Sequence, residues 1–474
     1  MPGRSVLAWR MSSTSESAPL GKAHATGLAR GLGSRQIRLI ALGSAIGVGL
    51  FLGSAQAISN AGPALLLAYA LAGATVFLVA RALGEMLLYR PITGSIATYA
   101  EEFLGPWAGF VTGWSFWLMY LVVGVAEITA VGIYVRYWYP DLPQWIPALI
   151  TLATLTAANL LAVQVFGEVE FWFALIKVVT VIALILFGAA ALLFGFGGEL
   201  GHSAALSNLW AQGGFLPHGL VGLALTLPIA TFAFGGVELI GIAAGEARDP
   251  ERTLPRAING VLYRILLFYI GAMAAIMVLV PWNALAPTAS PFVLVFDRFG
   301  IPAAATVVNF VVITAAASAC NSGLFSTGRM LHTLAHAGHA PRAFARLSRQ
   351  SVPAVAVAGS ACLMLGGVLL NYLAPERVFL YVLSVALSVQ LWVWGVIVAA
   401  HLGYRRAVRC GTARPSPYRM PGAPATNVFA LGFLVLVAVL LAFDAQTRVA
   451  LYVAPVWFAL VGTGFMVLRR RSLA

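Results

Sequence analysis

An all-α integral membrane protein of twelve spans is the fold class this sequence predicts, and three observations carry it. Of the 474 residues, 60% are hydrophobic and only 9% are charged, with a mean hydropathy of +0.90. That is too little charge to cover the surface of a water-soluble protein of this length. The apolar residues also gather into runs of about 20, the length at which a helix crosses the hydrocarbon core with its backbone bonds satisfied internally. Finally, with the N-terminus placed in the cytoplasm, 25 of the 29 Lys and Arg fall on the inner side. Four fall outside, Arg136, Arg298, Arg377 and Arg448, the asymmetry that the positive-inside rule demands. The net charge of +13 thus encodes topology, and a nucleic-acid partner loses its main support.

In chain order, residues 1–36 are polar, basic and without an apolar h-region, so they read as a disordered cytoplasmic tail rather than a secretory signal. Spans follow near 38–58, 64–88, 107–135, 146–165 and 171–195, then near 217–243, 260–281, 302–328, 353–373 and 378–401. A basic cytoplasmic loop, 402–424, separates these ten from two more spans within 425–468, and 469–474 form a basic cytoplasmic tail. The three cysteines make no paired framework. Lysine occurs only at Lys22 and Lys177, and neither closes a G-x-x-x-x-G-K-[ST] pattern, so the chain carries no P-loop and no ATPase partner is implied. Concentrative transport by such a chain draws on an ion gradient.

The first span weakens itself. GSAIGVGLF, 43–51, places three glycines where a helix should be strong. As packing, Gly43 with Gly47 and Gly49 with Gly53 are G-x-x-x-G pairs. As a site, the stretch is an unwound segment whose free N–H and C=O groups hold a polar ligand, and an inverted repeat then requires a second break. The sixth span supplies one in FAFGGVELIGIAAGE, 232–246. Spans one and six are five apart, as a five-plus-five repeat demands. N–H groups near Gly47 to Gly49 suit a carboxylate, because helix N-termini carry positive partial charge. Carbonyls around Ala45 and from Phe232 to Gly235 suit an ammonium, so the pair of breaks fits a zwitterion without an ionised side chain in the site.

Lys177 sits roughly 9 Å into the fifth span at 1.5 Å per residue. It either snorkels to the cytoplasmic face or acts as a proton carrier, since burial favours the neutral amine. Glu127, in the third span, faces the cavity or pairs with a polar neighbour. Glu238 follows the second break and either closes the cytoplasmic route or braces the broken helix. Glu85, Glu246, Asp249, Arg252 and Arg256 lie at cytoplasmic helix ends, where they read as a solvated charge network that doubles as an inner gate. His332, His336 and His339 have metal-like spacing, but no Cys or carboxylate in the segment completes a zinc set; an amphipathic helix end accounts for them, and no metal is expected. No catalytic constellation points to an enzyme.

These residues resemble the amino acid–polyamine–organocation superfamily, in its bacterial amino acid transporter branch, from about Ile37 to about Arg470. The likeness rests on ALGSAIGVGLF, RALGEM, GPWAGFVTGWSFW, AEITAVGIY, FGEVEFWFALIKV, FAFGGVELIGIAAGEARDP, LPRAI and NSGLFSTGRMLHTLA. It implies the leucine-transporter-type fold: two inverted five-helix repeats, about 37–195 and 217–401 within a 37–401 core, two extra helices, and spans one and six discontinuous. Carried over by position, the backbone of Ala45, Gly47, Val48 and Gly49 binds the substrate's amino and carboxyl groups. Carbonyls of Phe232, Ala233 and Gly235 complete the ammonium site, and the Phe232 side chain stands at the aromatic gate. Lys177 matches a lysine that replaces a sodium ion in proton-coupled relatives. Val48 and Leu50 depart from the threonine or serine and the isoleucine common there, which leaves the carboxylate site resting on backbone groups.

The expected function is proton symport of a neutral amino acid into a bacterium across its inner membrane by alternating access, with both termini cytoplasmic. Glu127 contributes to the substrate site, Lys177 carries the proton, and Phe232, Glu238 and Glu246 gate. NLWAQGGFLPHGLVGL, YRILLFYIGAM and NYLAPE resemble aromatic and proline-type permeases most, and a histidine-like substrate is a further candidate. The expected partners are the amino acid, protons and the lipid bilayer, with the chain a monomer or weak homo-oligomer and no cofactor beyond the proton gradient. An amino acid exchanger of the same fold is the alternative. A non-transporting sensor is disfavoured because no sizeable soluble domain accompanies the spans.

Overall fold

Helix formation here follows the apolar runs and stops where glycine and proline intervene. The computed structural model describes residues 46–473 apart from 93, 161–162, 196–203, 244–248, 287–288, 299–301 and 445–446. The first helices are α1 (Val48–Phe51) and α2 (Gly53–Ala61), which meet at Leu52, then α3 (Leu65–Tyr89), entered through a 3-10 turn at Gly62–Ala64. Next come α4 (Ser95–Leu104), α5 (Pro106–Val135), α6 (Trp145–Leu160) and α7 (Val163–Phe194). Pro106 at the first position of α5 has no N–H to leave unsatisfied.

The second half opens with α8 (Gly219–Phe232), which carries Pro228, and after a turn continues as α9 (Leu239–Ala243). Helix α10 (Pro250–Arg264) is capped by Asp249, whose side chain accepts from the Arg252 N–H. It passes through a π-helical stretch, Ile265–Gly271, into α11 (Ala272–Leu279). Helices α12 (Pro291–Arg298), α13 (Pro302–His336), α14 (Ala354–Leu373), α15 (Val378–Arg409), α16 (Ala425–Leu440) and α17 (Val449–Leu473) complete the chain.

Eight stretches among the described residues are long and apolar enough to cross a membrane. The first, Val48–Tyr89, takes in the second expected run and the part of the first from Val48 onward. Three shorter apolar helices, α6, α8 and α16, stand in the fourth, sixth and eleventh. Helix α15 runs on to Arg409, past the expected boundary at 401, because Arg405, Arg406 and Arg409 interact favourably with the carbonyl end of a helix. Helix α13 likewise continues to His336, which carries His332 and His336 on its last turns.

Helix α5 is central. It packs along α13 and α15, while α3 lies against α8, α10 and α15. One large core of buried apolar side chains joins these helices. One polar cluster inside it is bonded internally: Asn371 donates to Thr129 Oγ1 at 2.8 Å and accepts from Gln144 Nε2 at 2.6 Å. Helix α17 is the opposite case, exposed along most of its length, the face expected of a helix that meets lipid.

Candidate functional site

The start of α1 and the turn that follows α8 lie against each other. Gly47 precedes α1, and the turn Ala233–Glu238 separates α8 from α9. Gly236 in that turn has φ of +101°, a conformation that only glycine adopts without strain. The contact is close because of Gly49: a methyl group there would lie 2.7 Å from Ala233 Cα and 3.1 Å from Phe232 Cδ1. Gly53 faces Ile229, one turn earlier on α8, at an ordinary 3.4 Å. Gly49 therefore permits the close approach of α1 to the residues that end α8.

A small cavity of about 30 Å³ lies at this junction, lined by Gly47, Gly49, Phe232, Ala233, Gly235 and Glu127 among others. That is room for about one water and too little for an amino acid. Glu127 is buried, and both carboxylate oxygens accept from the Val48 N–H at 3.2 Å. A methyl group on Gly47 would lie 2.5 Å from Glu127 Oε1, so the carboxylate reaches the helix start only over a glycine. Glu127 thus lines the cavity and pairs with the Val48 N–H. Among the carbonyls singled out for an ammonium, Phe232 accepts from the Gly235 N–H at 2.9 Å and Ala233 from the Tyr269 hydroxyl at 2.7 Å. Each carbonyl retains a second lone pair.

Glu238 braces the turn. It accepts from the Tyr120 hydroxyl at 2.5 Å, from its own turn's Gly236 N–H at 3.1 Å and from Trp394 Nε1 at 2.9 Å. Tyr120 and Gln390 also line the cavity, with Gln390 Nε2 donating to the Thr231 carbonyl at 3.2 Å. Sequence reading missed Tyr120, Gln390 and Trp394. Their signal was spacing: Tyr120 lies seven residues before Glu127 and Gln390 four before Trp394, so each pair shares a helix face.

Lys177 is fully buried and does not snorkel: Nζ donates to the Ile46 carbonyl at 3.2 Å and to Ser318 Oγ at 2.9 Å. Ser318 in turn donates to Glu170 Oε1 at 2.6 Å. One hydrogen-bonded chain thus ties α7 and α13 to the residue beside Gly47. Glu170, also buried and also missed, precedes Lys177 by seven residues on α7. Ala45 and Glu246 lie outside the described residues.

The expected charge network at the helix ends is divided. Asp249 and Arg252 sit 3.9 Å apart and exposed, whereas Glu85 is buried and binds His401 Nε2, Arg405 Nη1 and the Met420 N–H at 2.6–3.0 Å. Packing of α15 and its following loop onto α3 takes Glu85 away from solvent. No metal-binding group of His, Cys, Asp and Glu occurs among the described residues.

Comparison with known proteins agrees over nearly the full length. Residues 36–474 match the family model described as Amino acid permease. The chain is 48% identical over 443 residues to the Probable threonine/serine transporter YbxG of Bacillus subtilis (strain 168), covering 93% of this chain and 95% of that protein. It is 47% identical to the Uncharacterized amino acid permease YtnA of the same organism, covering 92% and 96%. Against the Aromatic amino acid transport protein AroP of Escherichia coli O6:H1 the identity is 44%, covering 94% and 97%.

Proposed function

The chain belongs to the amino acid permease family, and on that premise we propose that it imports a neutral amino acid with a proton by alternating access in a bacterial inner membrane. The reading takes twelve spans with both termini cytoplasmic, two inverted five-helix repeats and breaks in spans one and six. The observation that carries it is a substitution of like for like: the carboxylate of Glu127 rests on the Val48 N–H where a substrate carboxylate is expected. An arriving zwitterion displaces Glu127 from that N–H. Glu127, released, joins the carbonyls of Phe232, Ala233 and Gly235 in holding the ammonium, so each charge in the low-dielectric site meets its opposite. The present cavity of about 30 Å³ must widen for this, which is the work of the two half-helices moving apart at Gly49 and Ala233.

Lys177 supplies the coupling. Its ammonium bonds to the Ile46 carbonyl, next to the binding residues, so loss of its proton loosens the segment that holds substrate. Phe232 and Glu238 border the inward route. The relatives' printed names include threonine/serine and aromatic substrates. The polar Gln390 and Tyr120 beside a narrow cavity favour a small neutral side chain.

Uptake of radiolabelled amino acids into proteoliposomes tests this. Influx is expected to require an inward proton gradient, to be competed by threonine or serine, and to collapse in Lys177→Ala. Uptake that ignores the pH gradient and is stimulated by preloaded amino acid would replace symport with exchange.

A further inference from the structure

A second pocket, of about 260 Å³, lies at the far end of α15, where Arg405, Arg409 and Arg419 line it together with Tyr404, Ser416 and Glu85. It is built from pinned backbone. Arg414 donates to the Tyr89 carbonyl at 2.7 Å, and Tyr404 donates to the Arg414 carbonyl at 3.0 Å. Arg81 lies 3.8 Å over the Tyr418 ring and donates to the Arg419 carbonyl. Tyr418 donates to Asn259 and Met420 to Glu85. These contacts hold the loop 410–424 against α3, α10 and α15.

The charges of the pocket are not balanced from within. Three guanidinium groups face one carboxylate, and Glu85 is buried with both oxygens engaged by His401, Arg405 and the Met420 N–H. Arg409 uses Nε on the Arg405 carbonyl at 3.4 Å, which leaves its other donors. The exposed Arg419 side chain makes no ion pair or hydrogen bond among the described residues. Convergent guanidinium groups are the geometry that takes phosphate oxygens in pairs. The volume is below that of a drug-sized cleft and suits a headgroup rather than a whole lipid.

We propose that this pocket binds a phosphate-bearing anion, the headgroup of an anionic phospholipid. The lipid source is favoured by what adjoins the pocket. Ala423 and Pro424 line it and lead directly into α16, whose Val428, Phe429, Val435, Leu436 and Val439 are exposed, an apolar path for acyl chains beside a basic headgroup site. Inorganic phosphate shares the recognition chemistry but gains nothing from that path.

Purified full-length protein in detergent, stripped of lipid, tests the idea by its thermal midpoint. Phosphatidylglycerol, phosphatidylcholine and inorganic phosphate are added in separate titrations. Phosphatidylglycerol is expected to stabilise more than phosphatidylcholine. Its half-saturating concentration is expected to rise roughly tenfold in Arg409→Gln/Arg419→Gln, the scale of a lost charge-assisted hydrogen bond, and to stay unchanged in Arg377→Gln at the opposite end of α15. Inorganic phosphate that stabilises to the same midpoint, and competes, overturns the lipid assignment. Phosphatidylglycerol that acts equally on the double variant overturns the site. The single variant Arg419→Gln, at an exposed side chain, gives the same reading if the double variant is unstable without ligand.

Discussion

Gly49→Ala tests the proposed binding role of the glycine stretch against helix packing alone. The added methyl would stand 2.7 Å from Ala233 Cα and 3.3 Å from Ala233 Cβ. An ordinary carbon contact starts near 3.4 Å, so α1 and the Ala233–Glu238 turn must part by about 0.7 Å, the difference between those two distances. The obstruction is backbone, which cannot rotate away as a side-chain tip can. Overpacking of this kind costs about 1–3 kcal/mol, and the displaced groups are those proposed to hold substrate. Gly53→Ala, in the same G-x-x-x-G pair, meets only Ile229 Cγ2 at 3.4 Å and Val48 O at 3.9 Å. There the added methyl meets only ordinary contacts, so little change in stability follows. Thermal midpoint and amino acid uptake are to be measured for both variants at matched membrane levels. Gly49→Ala is expected to lose stability and most uptake, and Gly53→Ala to keep both. Equal losses would refute the distinction and return the stretch to helix packing alone.

Glu170→Gln and Ser318→Ala each cut the chain from Glu170 through Ser318 to Lys177; both are expected to shift the pH profile of uptake in the same direction, and an unchanged profile removes Glu170 from coupling. Glu238→Gln turns an amide NH₂ toward buried donors from Tyr120, Gly236 or Trp394 and is expected to lower stability by about 1–3 kcal/mol, read as a drop in thermal midpoint. His339 lies past the end of α13, where burial holds its pKa below the ordinary 6.5 despite Glu101 nearby. The unfolded chain then takes the proton first, so its contribution is present above about pH 6.5 and lost as pH falls below it. His339→Gln is expected to flatten that acid limb in thermal melts, and an identical limb in the variant would assign it elsewhere.

The elements were readable because lipid constrains backbone so strongly that hydropathy alone marks spans. Runs such as 107–135 and 378–401 correspond to α5 and α15. Boundaries were less readable: α15 continues through RRAVR to Arg409, since a charged helix end looks like a loop in composition. The glycines at 47, 49, 235 and 236 pointed to a junction, because glycine in an apolar helix needs a reason.

The sequence by itself determined the family and the membrane class and drew attention to two glycine-rich stretches, since each follows from local composition and short motifs. Tertiary structure decided which distant side chains attend those places. That Glu127 sits on Val48, that Glu238 gathers Tyr120 and Trp394, and that Lys177 reaches Glu170 through Ser318 depends on how α5, α7, α13 and α15 pack. A buried charge must find partners across helices, and spacing along one helix names only the face from which it looks.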